Sequence, residues 1–412
     1  MDVLHPCCAG LDVHKDSVYA CVRRIGPGGG VRETVQVFGT MTPDLLQLAD
    51  WLAAEGATHV AMESTGVYWK PVYYVLDEQF ELVLANAQQL KRVPGRKTDA
   101  QDCAWIATLM QHGLIAASFV PPEPQRDLRE LCRQRVQLTR QKAAVSNRIQ
   151  KVLEDANLKL GSVASDVLGK SGRAMLRAII AGETDPVTLA GLALGRLRKQ
   201  LPRLRPALTG RVTEHHRFVL KLFLDEVEVV EEWVRRLEER IEAVLSPFAE
   251  AVRRWTTIPG VDRRTAQAVA AEIGTDMSRF PTEGHLSAWA GMCPGNDESA
   301  GRRRSGKTPK GSSWLKRALV QAAWAASHTK GTYLSAFYRR LAARRGRKRA
   351  LVGLGHAMLG IMYHMQRTGT DYTDLGGDYF ERRDADRLTR RLVRRLESLG
   401  LKVTLEPSPQ AA

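Results

Sequence analysis

Lys97-Thr98-Asp99-Ala100-Gln101-Asp102-Cys103-Ala104 opens a helix on two acids, and its reading decides the fold of the first third of the chain. Thr98 reads as the N-cap. Residues three apart share one helix face, so Asp99 and Asp102 aim at a common point, and the positive end of the helix offsets part of their mutual repulsion. Upstream, Gly10-Leu11-Asp12-Val13-His14-Lys15 precedes the alternating run Ser17-Val18-Tyr19-Ala20-Cys21-Val22, which predicts a strand entering a hairpin through the glycine-rich turn 26–30. A second strand is predicted over 31–38 and a helix over 43–55, with Leu45, Leu46, Leu48, Ala49 and Leu52 in helical period. A short strand over 59–63 then ends on Glu63, before Ser64-Thr65-Gly66. A helix over 67–77 and a strand over 80–85 complete the series. Strand, strand, helix, strand, helix, strand and acidic helix predict an α/β domain, a mixed sheet flanked by helices, ending near Pro121-Pro122.

Taken singly, Asp12 or Asp99 reads as a cap or a solvated charge. Taken together, Asp12, Glu63, Asp99 and Asp102 sit where an RNase H-like nuclease fold would bring them to one metal-binding centre. Carboxylates at element ends beside apolar segments are costly unless a cation compensates them. Hard divalent ions take oxygen ligands, and Mg²⁺ shares its shell between a few carboxylates, water and phosphates, so Mg²⁺ is the implied cofactor.

Charge points to the partner. Sixty-one Lys and Arg against 45 Asp and Glu give a net charge of +16, and such an excess draws polyanions in a salt-dependent way. The excess is concentrated in the C-terminal third, at Arg302, Arg303, Arg304, Lys307, Lys310, Lys316 and Arg317, then at Arg339, Arg340, Arg344, Arg345, Arg347, Lys348 and Arg349. A phosphate-facing surface is expected there, and Lys97 beside the acids joins the candidate contacts. The six cysteines, Cys7, Cys8, Cys21, Cys103, Cys132 and Cys293, show no metal-ligand spacing and read as reduced packing residues. With no signal-peptide pattern and no apolar run long enough to span a bilayer, a cytoplasmic chain without membrane partners is expected.

The middle, 123–247, is helical by period. Leu131, Leu138, Val145 and Val152 recur every seven residues, as do Val227, Val234 and Ile241, interleaved with Val230, Leu237 and Val244. Two long helices forming an antiparallel arm, which also serves as a seam between protomers, are expected, with shorter helices at the tip over 161–206. A further unit, 248–370, opens on Thr257-Ile258-Pro259-Gly260-Val261-Asp262, the apolar-Pro-Gly-apolar turn of a helix-hairpin-helix, followed by a helix over 265–273. Amides at such a turn, at Gly260 among others, can hold a phosphate. The unit runs on through Trp289 and Pro294 into a polar, basic loop that holds Ser299. In the tail, 371–412, an amphipathic basic helix over 384–399 precedes an end, 407–412, expected to be disordered.

Lys97-Thr98-Asp99-x-x-Asp102, with Asp12 and Glu63 upstream, together with Ile258-Pro259-Gly260-Val261 and the run Ala290-Gly291-Met292-Cys293-Pro294-Gly295-Asn296-Asp297-Glu298-Ser299-Ala300-Gly301, closely resembles the DEDD transposases of the insertion sequence one-ten family. The likeness spans most of the chain, departing from the family in the long tip and in the tail. It implies a RuvC-like domain over 1–122, a coiled-coil linker over 123–247 and a C-terminal transposase domain over 248–370. It implies that Asp12, Glu63, Asp99 and Asp102 hold Mg²⁺ and that Ser299 is the nucleophile, forming a 5′-phosphoserine link to a cleaved strand. It implies DNA partners, target and donor, chosen by a noncoding bridge RNA that pairs with both. A homo-oligomer, dimer or tetramer, would bring serine and acids together between protomers, in a prokaryotic, nucleoid-associated enzyme.

The chemistry fits the residue types. A serine hydroxyl needs a base or a metal-polarised phosphate to attack, and Arg302, Arg303, Arg304 and Lys307 would neutralise charge building on the phosphate. Three functions follow from these residues. One is the RNA-guided recombinase. The second is a RuvC-like Mg²⁺-dependent nuclease or junction resolvase in which water attacks, and the third is a basic nucleic-acid scaffold without chemistry.

Overall fold

The computed structural model describes residues 2–26, 28–64, 66–85, 99–295, 297–299, 302–305 and 307–405. They fall into two compact units, Met1–Pro121 and Pro122–Ala412.

In the first unit β1 (Cys7–Val13), β2 (Ser17–Ile25), β3 (Val31–Gly39), α1 (Thr42–Ala54), β4 (His59–Glu63), α2 (Trp69–Leu76), β5 (Glu81–Ala85) and α3 (Asp99–Gln111) follow in chain order. The strands form one mixed sheet of order β3-β2-β1-β4-β5. β1, β2 and β3 are antiparallel neighbours, while β4 lies parallel to β1 and β5 parallel to β4. The sequence reading began the sheet with only two strands before the first helix and missed β1. Cys7-Cys8-Ala9-Gly10-Leu11-Asp12-Val13 is buried from its second residue to its last, and a strand covered on both faces shows no polar alternation. Asp12 therefore stands inside a strand rather than ahead of one.

Period-two alternation divides the sheet between two layers. Ala9, Leu11, Val60 and Met62 face Leu45, Leu48, Leu52, Val72 and Leu76 of α1 and α2. Cys8 and Ala61 face Ile106 and Met110 of α3 on the other side. This five-stranded mixed sheet with helices on both faces is consistent with an RNase H-like domain.

The second unit opens with two long helices, α4 (Glu123–Asp155) and α5 (Glu214–Val244). Ion pairs at Lys142–Glu231, Arg148–Glu226 and Asp155–His216 step in opposite directions along the two, so they are antiparallel. Of the heptad positions, Val145, Val227, Val230 and Ile241 are buried, and Leu131, Leu138, Val152, Val234, Leu237 and Val244 are half-buried. Val145, Ile149 and Leu153 meet Leu220, Leu224 and Val227 at the far end, in one core with the short helices Lys170–Ile180, Pro186–Gly191 and Leu201–Ala207 of the tip.

At the near end α6 (Ala249–Trp255), α7 (Arg263–Ile273), α8 (Glu283–Trp289), α9 (Ser313–His328), α10 (Tyr333–Arg345) and α11 (Arg347–Thr368) surround a separate core centred on Trp255, Leu319, Met358 and Tyr363. The Trp255 indole N–H donates to the Met362 carbonyl at 3.1 Å, and the Tyr363 hydroxyl to the Phe280 carbonyl at 2.8 Å. The arm is locked to this core through Glu272. Its buried carboxylate accepts Arg133 Nε at 2.8 Å, Arg133 Nη2 at 2.9 Å and Ser312 Oγ at 2.9 Å, while Arg129 donates to the Ala271 and Glu272 carbonyls. The tail adds α12 (Tyr379–Arg383) and α13 (Ala385–Glu397). The end expected to be disordered, 407–412, lies outside the described residues. Among the described residues no helix is long and apolar enough to cross a membrane.

Candidate active site and nucleic-acid interface

Sheet register carries two of the predicted acids to one edge. β1 and β4 run parallel with Gly10 beside Ala61 and Leu11 beside Met62, and each strand continues past that last pair to its acid, Asp12 on β1 and Glu63 at the end of β4. Side chains alternate, and Cys8 and Ala61 face α3. Asp12 and Glu63, an even number of residues on, face α3 as well. Asp12 is only 9% exposed, and His14 Nε2 lies 3.2 Å from its Oδ2.

The helix runs antiparallel to β1. Cys8 Sγ meets the Ala107 carbonyl at 3.4 Å, and a Cβ added to Gly10 would stand 2.3 Å from both Ala107 N and Cys103 O. One step further along the strand, the Asp12 carboxylate is near enough to Cys103 to raise its thiol pKa. That effect is outweighed by a hydrogen bond with Cys21, which holds Cys103 below and Cys21 above the ordinary thiol value. The N-terminal turn of α3 therefore lies over the strand ends that carry Asp12 and Glu63. Asp102 precedes Cys103 there, and Asp99 opens the helix one turn before Cys103. Gly10 is the residue that makes this possible, because only hydrogen in place of Cβ allows the helix backbone to rest on β1.

The structure thus brings Asp12, Glu63 and the acidic first turn of α3 to one edge of one sheet. Among the described residues neither Glu63 nor Asp102 forms an ion pair. Among the same residues no group of three or more His, Cys, Asp or Glu is close enough together to hold a metal ion. The donor set itself, carboxylate oxygens at strand ends and a helix start, suits a hard divalent cation. Lys97 and the predicted cap Thr98 lie outside the described residues.

Ser299 stands on a different scaffold. The predicted loop is a two-stranded ribbon, β6 (Asp297–Ser299) and β7 (Arg302–Ser305), with Ser299 opposite Arg302 and Glu298 opposite Arg303. The connecting residues 300 and 301 lie outside the described residues. The ribbon's base is pinned by backbone contact. Gly295 N donates to the Lys307 carbonyl at 3.1 Å, and a Cβ on Gly311 would stand 2.4 Å from the Ala290 carbonyl oxygen and 2.5 Å from Gly291 N. Gly291, at φ +65°, in turn has Pro309 O and Gly311 N at 2.8 Å from its would-be Cβ. Glycines at both ends let the segment leave and re-enter the helical core at one point, and the backbone ribbon between them carries Ser299, Arg302, Arg303 and Arg304. Lys307 and Lys310 follow on the exposed return to α9.

The Pro259–Gly260 turn joins α6 to α7 and packs against α9. Gly260, at φ +85°, lies against α9, where its Cβ would stand 2.4 Å from Ala326 N. The Asp262 carboxylate caps α7 by accepting from Thr265 N at 2.8 Å. An acid therefore occupies the helix start where the phosphate was expected.

Sequence reading missed Gly10, His14 and Trp314. An isolated glycine in an apolar strand two residues before an acid signals close backbone approach. Trp314 lies under three guanidinium groups, Arg133 at 5.6 Å, Arg140 at 5.2 Å and Arg317 at 5.7 Å from its ring centre, a cation–π cluster. Its only sequence signal is an aromatic residue inside the basic run 302–317.

Residues 9–158 match the family model of the DEDD transposase domain of IS110, described as a transposase. Residues 252–339 match the model described as a transposase of the IS116/IS110/IS902 family. Similar curated proteins carry related names. A probable family 20 transposase of Pseudomonas aeruginosa is 26% identical over 269 residues, 64% of this chain and 70% of that one. The IS110 insertion element 43.6 kDa protein of Streptomyces coelicolor is 25% identical over 360 residues, 80% of this chain and 87% of its own. The transposase for insertion sequence element IS1111A of Coxiella burnetii is 25% identical over 362 residues, 86% and 88% of the two chains.

Proposed function

We infer the chemistry from the premise that this chain belongs to the IS110 family of transposases, enzymes that cut and rejoin DNA. We propose that Ser299 is the attacking group and that the acidic edge of the first unit activates the phosphate it attacks. The observation that carries this reading is the placement of Asp12 and Glu63 on adjacent parallel strands beneath the acidic first turn of α3. A divalent cation such as Mg²⁺, held by Asp12, Glu63, Asp99 and Asp102, would neutralise charge developing on the phosphate oxygens.

The Ser299 hydroxyl forms a bond to phosphorus as the bond to the 3′ oxygen breaks, leaving a 5′-phosphoserine and a free 3′ hydroxyl that takes the proton. A 3′ hydroxyl of another strand then attacks the phosphoserine and restores the serine, so strands exchange without net hydrolysis. Arg302, Arg303, Arg304, Lys307 and Lys310 on the ribbon and its return supply positive charge to the same phosphate backbone. His14, beside Asp12, is placed to fix that carboxylate. Gly260 joins the proposed contact surface through its backbone at the Pro259–Gly260 turn, beside the helix start that Asp262 caps.

A noncoding RNA that selects target and donor DNA belongs to this reading, as does a homo-oligomer. The oligomer is supported by Phe218, Leu222, Val229 and Trp233, an exposed stripe along one side of α5. The deciding experiment incubates the wild-type chain, S299A and D102N with element-end DNA and Mg²⁺ and resolves the products under denaturing conditions. Wild type is expected to give a covalent protein–DNA adduct, and both variants none. Cleaved ends in S299A without any adduct in wild type would overturn the serine mechanism and establish the water-dependent nuclease in its place.

A further inference from the structure

Along its shaft the arm pairs many of its cations with its own acids, Lys142 with Glu231, Arg148 with Glu226, Lys221 with Asp225, and Arg235 and Arg236 with Glu232, and where the tip joins the shaft Arg173 pairs with Glu231 and Arg177 with Glu228. Over residues 196–211 of the tip this stops. Arg196, Arg198, Lys199, Arg203, Arg205 and Arg211 are all exposed, and among the described residues none of them forms an ion pair. No Asp or Glu occurs between Asp185 and Glu214. Asp185 is engaged in capping the helix Pro186–Gly191, accepting from Thr188 N at 2.8 Å and Thr188 Oγ1 at 2.6 Å. In the segment carrying the first three cations, Gly195–Gln200, only Leu197 packs against the tip core, while Arg196, Arg198 and Lys199 are exposed, so packing does not account for the cations.

We propose that the arm tip is a nucleic-acid-binding head that grips the phosphate backbone of a double helix without reading its sequence. Six exposed cations within residues 196–211 give the polyanion-binding charge. The duplex is favoured over a single strand by what the tip lacks. No Phe, Trp or Tyr occurs from residue 156 to residue 213, and single-strand binders stack unpaired bases on aromatic rings. The α5 helix of 31 residues sets the tip roughly 46 Å from the base of the arm, more than the ~34–36 Å of one duplex turn. The tip therefore holds a stretch of double helix remote from the one at the ribbon.

The proposal rests on the reading that this chain works on nucleic acid and adds a second, distant contact to it. The test measures the affinity of the full chain for a duplex DNA and for a duplex RNA of unrelated sequence across a salt series. The wild type is compared with R196A/R198A/K199A/R203A and with a shaft variant, R148A/K221A/R235A/R236A, that removes the same formal charge. The tip variant is expected to lower the slope of log affinity against log salt by roughly 3–4, about 0.9 for each phosphate that is no longer neutralised, and the shaft variant by less than 1. R196K/R198K/R203K keeps the wild-type slope, because the slope counts charges. A slope reduced on DNA alone assigns the head to DNA, and one reduced on RNA alone assigns it to RNA. An unchanged slope in the tip variant, or an equal reduction in the shaft variant, overturns the proposal. A serine adduct formed by a chain whose tip variant binds normally would remove the head and leave the recombinase. The tip slope found in a chain that forms no adduct would do the reverse.

Discussion

Gly10→Ala is the most direct probe of how the acids are assembled. The added Cβ would meet Ala107 N and Cys103 O at 2.3 Å, against the 3.4 Å of ordinary contact, so α3 must lift from β1 by about 1.1 Å. Both obstacles are helix backbone, so no rotamer change relieves them. Overpacking costs about 1–3 kcal/mol, and with no side chain able to yield, we expect about 3 kcal/mol here. In a unit of this size that corresponds to a fall of about 12 °C in the Tm of Met1–Pro121. The displaced turn carries Asp99 and Asp102, and a shift of about 1 Å at a reacting centre lowers rate by about 100-fold. The assay pairs differential scanning calorimetry, which resolves the unit that loses stability, with the rate of adduct formation at saturating DNA. Gly28→Ala, where a Cβ meets nothing within 4 Å, is the control and should change neither. A Gly10→Ala chain that melts within about 2 °C of wild type and forms adduct at full rate would refute the placement of α3 on β1.

Other consequences concern the second unit. Glu272→Gln removes the charge that compensates Arg133 inside the arm joint, and burial already holds the neighbouring Arg129 down to a pKa of about 10. Breaking such a pair costs about 3 kcal/mol, read as a Tm loss of roughly 6–9 °C in Pro122–Ala412; an unchanged melt would show that the joint is not held by that charge. Acid should also unfold this unit. Glu232 is held at about 2 by Arg235, and Arg253 lowers Glu250 and Asp371, while Arg383 lowers Asp384. Carboxylates with depressed folded pKa values stabilise above their unfolded values and lose that contribution as pH falls through the folded ones. Stability should therefore decline from about pH 4 downward, less steeply in 1 M salt because the pairs are exposed. A denaturation midpoint constant from pH 4.5 to pH 2 would contradict this.

The β2–β3 hairpin, the helix α1 and the long helices of the arm were legible because their residues carry a period. Val31 to Phe38, Leu45 to Leu52 and the heptads of 131–152 repeat at the spacing of the element they form. β1 was illegible for the opposite reason, since burial on both faces erases alternation. The ribbon that carries Ser299 was read as a loop because its ends are fixed by glycine contacts across the core, which leave no local pattern.

The chain's order of residues by itself determined which carboxylates, which serine and which basic runs exist, and the kind of element for Glu63, Asp99 and Asp102. Element type follows from near-neighbour spacing, and a linear string contains that information. Tertiary structure alone decided that β1 and β4 run side by side toward Asp12 and Glu63, that α3 crosses Gly10 with its acidic turn at the same edge, that Asp262 caps the helix start after the Pro259–Gly260 turn, and that many shaft cations are paired while those of residues 196–211 are not. Those are contacts between residues tens of positions apart, set by sheet register and backbone approach, and no local periodicity encodes them.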